Sequence, residues 1–313
     1  MVQDLARKMI SDAVEVSAQD IYVIPKGDRY ELFMRIGDER RFINVFDNDY
    51  MSSLISHFKF VAGMNVGEKR RSQLGSCDYA LADGKKVSLR LSSVGDYRGR
   101  ESLVIRVLHK RRHELRYHFD GMKNILKVIG GRGLYLFSGP VGSGKTTLMY
   151  QLIAEKFPDK QVISIEDPVE IKQDSMLQLQ LNESIGMTYD NLIKLSLRHR
   201  PDILIIGEIR DTETARAVIR ASLTGAMVFS TIHAKSISGV YARLIELGVS
   251  PQELDNSLRL IGYQRLIGGG GVIDFVERDF QRYDPTSWNE QIDSLAQDGY
   301  ISAEQAKIEK IRA

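Results

Sequence analysis

The stretch Gly133–Tyr150, GLYLFSGPVGSGKTTLMY, carries the reading of the fold. It opens as an apolar run of strand type, GLYLFS, passes through a glycine-rich segment and continues in a helical pattern from about Lys145 to Lys156. Residues 139–147, GPVGSGKTT, fit the pattern G-x-x-x-x-G-K-[ST], with Gly139, Gly144, Lys145 and Thr146 at the specified positions. Pro140, Val141, Gly142 and Ser143 form the body of the loop, and Thr147 follows the specified hydroxyl. Glycines let successive backbone N–H groups turn inward around phosphates, and the following helix N-terminus adds partial positive charge. In such a loop the lysine, here Lys145, reaches the β- and γ-phosphates of a nucleotide, and the hydroxyl, here Thr146, ligates magnesium. A plain glycine-rich turn is the bland alternative, and the strand before the loop and the helix after it argue against that.

Three further apolar runs follow: QVISI, DILIIG and AMVFST, each separated from the next by helical stretches. Continuous apolar strands alternating with helices predict a parallel sheet buried on both faces, hence an α/β fold. Ligands bind beyond the carboxyl ends of strands in such sheets. Glu166, Asp167 and Glu170 follow QVISI, and Glu208 follows DILII, so both acidic sites converge on the phosphate edge. Phosphoryl transfer to water asks mainly for positioning and charge neutralisation, with one carboxylate to orient the water. The alternative for EDPVE is a solvated turn shaped by Pro168. His233, in FSTIHAKS, stands just past the fourth apolar strand. A lone histidine is more often structural, but at this strand end it points toward the γ-phosphate edge, where it can sense the nucleotide state.

With 313 residues the chain is long enough for two domains. It is 43% hydrophobic and 27% charged with a formal net charge of +2, which gives no reason to expect a nucleic-acid-coating protein. The single Cys77 excludes an internal disulfide framework and a cysteine-based zinc site, and it fits a reducing, cytoplasmic compartment. No run approaches the length of a membrane span. The N-terminal segment carries Asp4, Lys8 and Asp12 where a signal peptide needs apolar residues, and its apolar positions follow helical spacing.

From Ile21 to about Arg106 short alternating runs (DIYVIP, YELFMRI, KKVSLRLSSV, SLVIRVL) are split by the turns PKGDR and ADGKK, with one helix expected in DNDYMSSLISHFKFVAG capped by Asp49 or Asn48. This is a small α+β domain. Between Arg98 and Arg116 seven Arg or Lys stand against Glu101 and Glu114, to be read as a solvated linker or as phosphate contacts. The tail beyond Asp284 predicts a helical hairpin broken at DGYIS, with SAEQ (Ser302–Gln305) as a capping box. Its Trp288, Ile292 and Leu295 can face either the core or a partner.

Taken in order, GPVGSGKTT, ISIEDPVE, RPDILIIGEIRD and LTGAMVFSTIHA resemble the phosphate loop, acidic box, Gly-Glu Walker B and His box of the secretion ATPases of type II secretion, type IV pilus and competence systems. SAQDIYVIP and YQRLI extend the resemblance over most of the chain up to about residue 275. It implies a PAS-like N-terminal domain (1–108), a linker (109–120) and a RecA-like P-loop ATPase domain (121–313, with the C-terminal helical segment), assembled as a homo-hexamer that uses ATP and Mg2+. It further implies that Glu208 serves the metal directly or through water, that Glu170 aligns the attacking water, and that His233 takes the His-box role. Arg90 and Arg106, on successive strands of the N-terminal domain, would reach the phosphates, with Arg98 and Arg100 at the tip of the same hairpin. Glu166 and Arg198 are carried over as nucleotide-site residues, while Lys194 stands where some relatives have arginine.

QRLIGGGGVIDFV has no cysteine where assembly and type II relatives often carry a four-cysteine zinc subdomain, and the large extra N-terminal domain is missing. These departures, with no AIRNLIR-like motif of the retraction motors, make the chain most similar to the short competence-pilus ATPases of Gram-positive bacteria. The implied partner is an inner-membrane platform protein, with the motor at the cytoplasmic face of the membrane and no direct nucleic-acid contact. Retraction or secretion motors of the same superfamily, and more distantly a RecA-like DNA motor, are the competing readings.

Overall fold

The computed structural model describes residues 2–37, 39–108, 115–182 and 185–311. Contacts divide the chain into two compact units, Met1–Arg112 and His113–Ala313.

In the first unit, α1 (Val2–Glu15) precedes β1 (Asp20–Lys26), β2 (Arg29–Ile36) and β3 (Glu39–Asp47); α2 (Asn48–Val61) then leads to β4 (Gln73–Ala80), β5 (Lys86–Gly95) and β6 (Glu101–Leu108). Among the described residues the strands form one antiparallel sheet in the order β3-β2-β1-β6-β5-β4. Period-two alternation sends Ile21, Val23, Leu89, Leu91, Leu103 and Ile105 to one face, where they pack with Ala6, Met9 and Ile10 of α1 and Leu54, Ile55 and Phe58 of α2. α1 thus turns its apolar stripe inward. The cap of α2 is Asp47, which accepts from the Tyr50 N–H, one or two residues earlier than the sequence pattern suggested. Lys59 is fully buried and pairs with the carboxylate of Glu101, so α2 is tied to the start of β6 by a desolvated ion pair. Burial raises the Cys77 thiol to about 11, so it is a poor nucleophile.

The second unit contains α3 (Gly121–Val128), β7 (Gly133–Ser138), α4 (Lys145–Lys156), β8 (Val162–Glu166), β9 (Leu177–Gln180), α5 (Tyr189–Arg198), β10 (Ile203–Ile209), α6 (Thr212–Leu223), β11 (Met227–Ile232), α7 (Ile237–Glu246), α8 (Pro251–Ser257), β12 (Leu258–Ile267), β13 (Gly270–Val276), α9 (Thr286–Gln297) and α10 (Ala303–Glu309). The sheet order is β13-β12-β7-β11-β10-β8-β9. Every residue of β7, β8 and β11 is buried, because helices cover both faces. The sheet is mostly parallel, as the run pattern predicts, but β13 returns antiparallel to β12. Gly268 and Gly269, at φ 57° and 83°, supply the left-handed turn between them, so the GGGG run is a hairpin.

Of the segment expected to be a linker, residues 109–114 lie outside the described ones; Arg116 and His118 exchange backbone hydrogen bonds with Gly271. The tail folds onto the unit's own core. Trp288, Ile292 and Leu295 are buried, Trp288 packs edge-on to Tyr263, and its Nε1–H donates to the Glu309 carbonyl at 2.8 Å. Ser302 and Gln305 form the capping box of α10.

Candidate functional site

The loop between β7 and α4 owes its shape to glycine. Gly139 (φ 144°) packs so tightly that a Cβ there would run into the Gln264 carbonyl oxygen, and Gly144 (φ 86°) is the left-handed N-cap of α4. Gln264, buried on the neighbouring β12, donates through Nε2 to the Ser143 carbonyl at 2.6 Å and so braces the loop from beneath. The buried Ser143 hydroxyl has no partner among the described residues. Lys145 Nζ donates to the carbonyls of Gly139 and Pro140, both at 2.9 Å, so the ammonium is held beneath the loop's arc. Burial pulls the Lys145 pKa down and the nearby Glu208 carboxylate opposes that shift. Thr146 and Thr147, half-buried on the first turn of α4, follow directly. Pro140, Val141 and Gly142 are exposed on the loop's outer side.

Glu208 sits at a register shift in β10, where Gly207 is the extra residue relative to β11. Thr231 Oγ1 donates to the Gly207 carbonyl and Ser230 Oγ to the Ile206 carbonyl, at 2.8 and 2.7 Å, so two hydroxyls of β11 pin the bulge. A side chain at 207 would crowd the Tyr189 hydroxyl and the neighbouring strand, which accounts for the glycine before the glutamate. The bulge turns Glu208 to the strand's open end. There one carboxylate oxygen pairs with Arg210, and the other lies 3.1 Å from His233 Nε2. Arg210 reaches on to Asp167 at 3.1 Å. Burial lowers the Arg210 pKa, but its two carboxylates more than offset that and the net shift is upward. Ser138 at the end of β7 accepts from the Ala234 N–H at 3.1 Å, fixing the loop that carries His233 beside the phosphate loop.

The two acidic sites therefore differ. Asp167 joins Glu208 through Arg210. Glu170 stands exposed on the loop after β8. Glu166, carried over as a nucleotide-site residue, points into the sheet's covered face. Its Oε1 accepts from Tyr150 OH and Ser164 Oγ, each at 2.6 Å, and from Gln178 Nε2 at 3.1 Å. Arg198 ends α5, the helix that leads into the amino end of β10, roughly 13 Å along the axis from Tyr189. That is the opposite edge of the sheet from the phosphate loop, so one chain does not bring Arg198 together with Lys145 and Glu208. Lys194 is tied to Asp190, which also takes Arg220.

In the first unit, Arg90 faces Arg106 directly across the β5–β6 ladder, and Arg106 in turn faces Asp20. Arg106 Nε donates to the Asp20 carboxylate at 2.8 Å. The tip arginines are separate, about 17 Å along the strand from Arg90. Arg100 closes its own turn through Asp96 and the Gly27 carbonyl, and Arg98 lies over the exposed ring of Tyr97.

Residue patterns had not singled out the chemistry of Arg210, the brace by Gln264 or the donors around Glu166. For Gln264 a signal exists: a polar side chain inside an apolar strand run. The others depend on which strands become neighbours. Among the described residues no cluster of three or more His, Cys, Asp or Glu is placed to hold a metal ion, and a magnesium ion bound by one or two protein groups keeps waters or phosphate oxygens as its other ligands. Thr146 at the loop and the half-buried carboxylate of Glu208 suit that arrangement.

The sequence profile described as type II/IV secretion system protein matches residues 1–287. The chain is 65% identical to the competence protein ComGA of Streptococcus pneumoniae over 99% of both chains. It is 34% identical to ComGA of Bacillus subtilis over 85% of this chain and 76% of that one. The type II secretion system protein E of Xanthomonas campestris is 33% identical, but the match spans only 47% of it. Among solved structures, the pilus retraction motor PilT with bound ADP superposes with a TM-score of 0.75 at 23% identity, covering 97% of this chain and 96% of that one. These structural likenesses speak to the fold. Among the described residues no helix is long and apolar enough to cross a membrane.

Proposed function

The chain belongs to the type II/IV secretion system protein family and is one of its ATPases, and from that premise we propose that it works as a homo-hexameric ring at the cytoplasmic face of the membrane, converting ATP hydrolysis into domain motions that assemble a competence pilus for DNA uptake. The observation that carries the reading is the strand-end constellation of Lys145, Glu208 and His233, together with Glu170 on the adjoining loop, in a chain that matches a competence protein along its whole length.

In this reading the backbone N–H groups of Gly142–Thr147 and the α4 N-terminus receive the phosphates, and Lys145 exchanges its two loop carbonyls for phosphate oxygens. Thr146 and Glu208 would hold magnesium, directly or through water, and the ion would supply charge neutralisation as the terminal phosphate leaves. Glu170 orients the attacking water. His233, bonded to Glu208, reports whether that carboxylate is engaged. Arg90 and Arg106 stabilise the departing charge. Two guanidinium groups directly opposed across a ladder, one of them already bonded to Asp20, favour an anion beside them. A neighbouring subunit's Arg198 completes a site that one chain's own Arg198 does not reach. The platform protein of the pilus machine is the partner that receives the motion.

The test is hydrolysis by the purified full-length chain. Glu170→Gln should lower kcat by about a hundredfold or more while leaving nucleotide affinity within a few-fold, and it should fail to restore DNA uptake in cells lacking the gene. An unchanged kcat would remove Glu170 from the role of water-aligning residue.

A further inference from the structure

The loop that carries Glu170 has no regular structure of its own between β8 and β9, yet its backbone is held on both sides of that residue. The holders are two glutamines on one face of the short edge strand β9. Gln180 Oε1 accepts from the Val169 N–H at 3.2 Å, immediately before Glu170. Gln178 Nε2 donates to the Ile171 carbonyl at 3.0 Å, immediately after it, and Gln178 Oε1 accepts from the Gln173 N–H at 2.7 Å. A glutamine amide offers both donors and an acceptor, so one side chain can grip two backbone groups of opposite polarity.

Gln178 is also part of a chain of bonds that leads to the phosphate loop. Its Nε2 lies 3.1 Å from Glu166 Oε1 and 3.2 Å from the Tyr150 hydroxyl, and Tyr150 donates to the same Glu166 oxygen at 2.6 Å. Tyr150 belongs to α4, the helix whose N-terminus is Gly144–Lys145. Ser164 and Glu166 of β8 stand in register with Gln178 and Gln180 of β9, so the four side chains share the face that α4 covers. The Tyr150 hydroxyl is kept protonated by burial and by the Glu166 carboxylate, both of which push its pKa up, so it remains a donor.

We propose that Gln178 and Gln180 are positioning residues of the hydrolysis reaction: they fix the backbone at 169 and 171–173 so that Glu170 is presented at a set place relative to the phosphate loop, with Glu166 and Tyr150 as the tie between the two. The inference rests on Glu170 being the residue that aligns water. Nucleotide affinity is set elsewhere, at Gly139–Thr147, so loosening the glutamines acts on the chemical step and leaves binding alone.

Two variants of the full-length chain test this, Gln178→Leu and Gln180→Leu, each measured for kcat, KM, affinity for a fluorescent ATP analogue and amide exchange. Gln178→Leu should lower kcat about tenfold or more with KM and analogue affinity within twofold, and should speed exchange at the Gln173 amide. Gln180→Leu should give a smaller kcat loss and faster exchange at the Val169 amide. Loss of protection at those amides with kcat unchanged overturns the proposal, as does a parallel fall in kcat and analogue affinity, which would mean general loosening of the fold. If Gln178→Leu does not fold, Gln180→Leu decides the question alone, because it removes the contact at Val169 and leaves the Glu166 cluster in place. Glu170→Gln separates the two levels. Full activity in that variant removes the premise and the inference with it, whereas an inactive Glu170→Gln beside a fully active Gln178→Leu overturns the positioning role only.

Discussion

Glu166 and Glu208 end neighbouring parallel strands, β8 and β10, and their environments are opposite. Glu166 is 5% exposed and is held by three neutral donors, the hydroxyls of Tyr150 and Ser164 and the amide of Gln178. The Glu208 side chain is 21% exposed and is held by Arg210 and His233, one of them a permanent cation. A buried carboxylate with neutral donors is a fixed part of the framework, since stripping away its partners leaves unsatisfied polar groups on both sides. A partly exposed carboxylate bonded to a cation can exchange that cation for another. The same residue type at the same topological position is structural in one strand and exchangeable in the next.

The strongest way to break the comparison is to remove each acid in turn. Glu208→Gln should lower kcat about a hundredfold or more while its Tm stays within a degree or two. Glu166→Ala should instead act chiefly on stability, with a kcat loss no larger than that of Gln178→Leu because it cuts the same tie to α4. Three stranded donors cost about 3 kcal/mol, or roughly 6–12 °C in Tm for a unit of this size, read by calorimetry. A Glu166 variant with unchanged Tm would show that the buried cluster is not framework.

A finer test concerns Arg210. If it and a magnesium ion compete for Glu208, then Arg210→Ala should lower the Mg2+ concentration giving half-maximal activity by about three- to tenfold, even as kcat falls because Asp167 loses its tie to β10. No change in the Mg2+ dependence would mean that the pair is not in competition.

The smallest effect expected is on stability, from Lys145. Burial lowers its pKa in the folded state below the ordinary lysine value, so the unfolded chain binds the proton more tightly. The burial cost is fully present below the lowered folded pKa and is relieved as pH rises from there toward the unfolded value. Lys145→Met should therefore abolish hydrolysis yet leave the nucleotide-free protein as stable as the parent or slightly more so at neutral pH. That gain, at most about 1 kcal/mol, should shrink as the pH approaches 10, as followed by denaturant melts. A loss of stability at neutral pH would show that the bonds to Gly139 and Pro140 outweigh the burial cost.

Much of this was legible in the sequence because its causes are local. The strand–loop–helix of residues 133–156 follows from an apolar run, glycines at left-handed positions and a helix-forming segment, all adjacent in the chain. The capping box at Ser302 is equally local. By contrast, β9 alternates leucine and glutamine over only four residues, the shortest run at which alternation signals a strand, and it is easily passed over. β12 and β13 were obscured by the glycine run between them, and Asp47 as the cap of α2 competed with two other acceptable residues within the next two positions.

The sequence by itself determined that Gly139–Thr147 carries a phosphate-loop pattern between an apolar strand and a helix, that carboxylates follow the adjoining strands, and that the chain carries the motifs of a secretion-family ATPase. Each of those properties depends on spacing along the chain or on the period of one element. Only the tertiary structure decided that Glu166 faces inward and Glu208 outward, that Arg210 binds two strand ends together, that Arg98 and Arg100 lie away from Arg90, and that Arg198 is on the far edge of its own sheet. Those facts depend on strand order, on the bulge at Gly207 and on which helix covers which face, and such long-range pairings leave no mark in residue spacing.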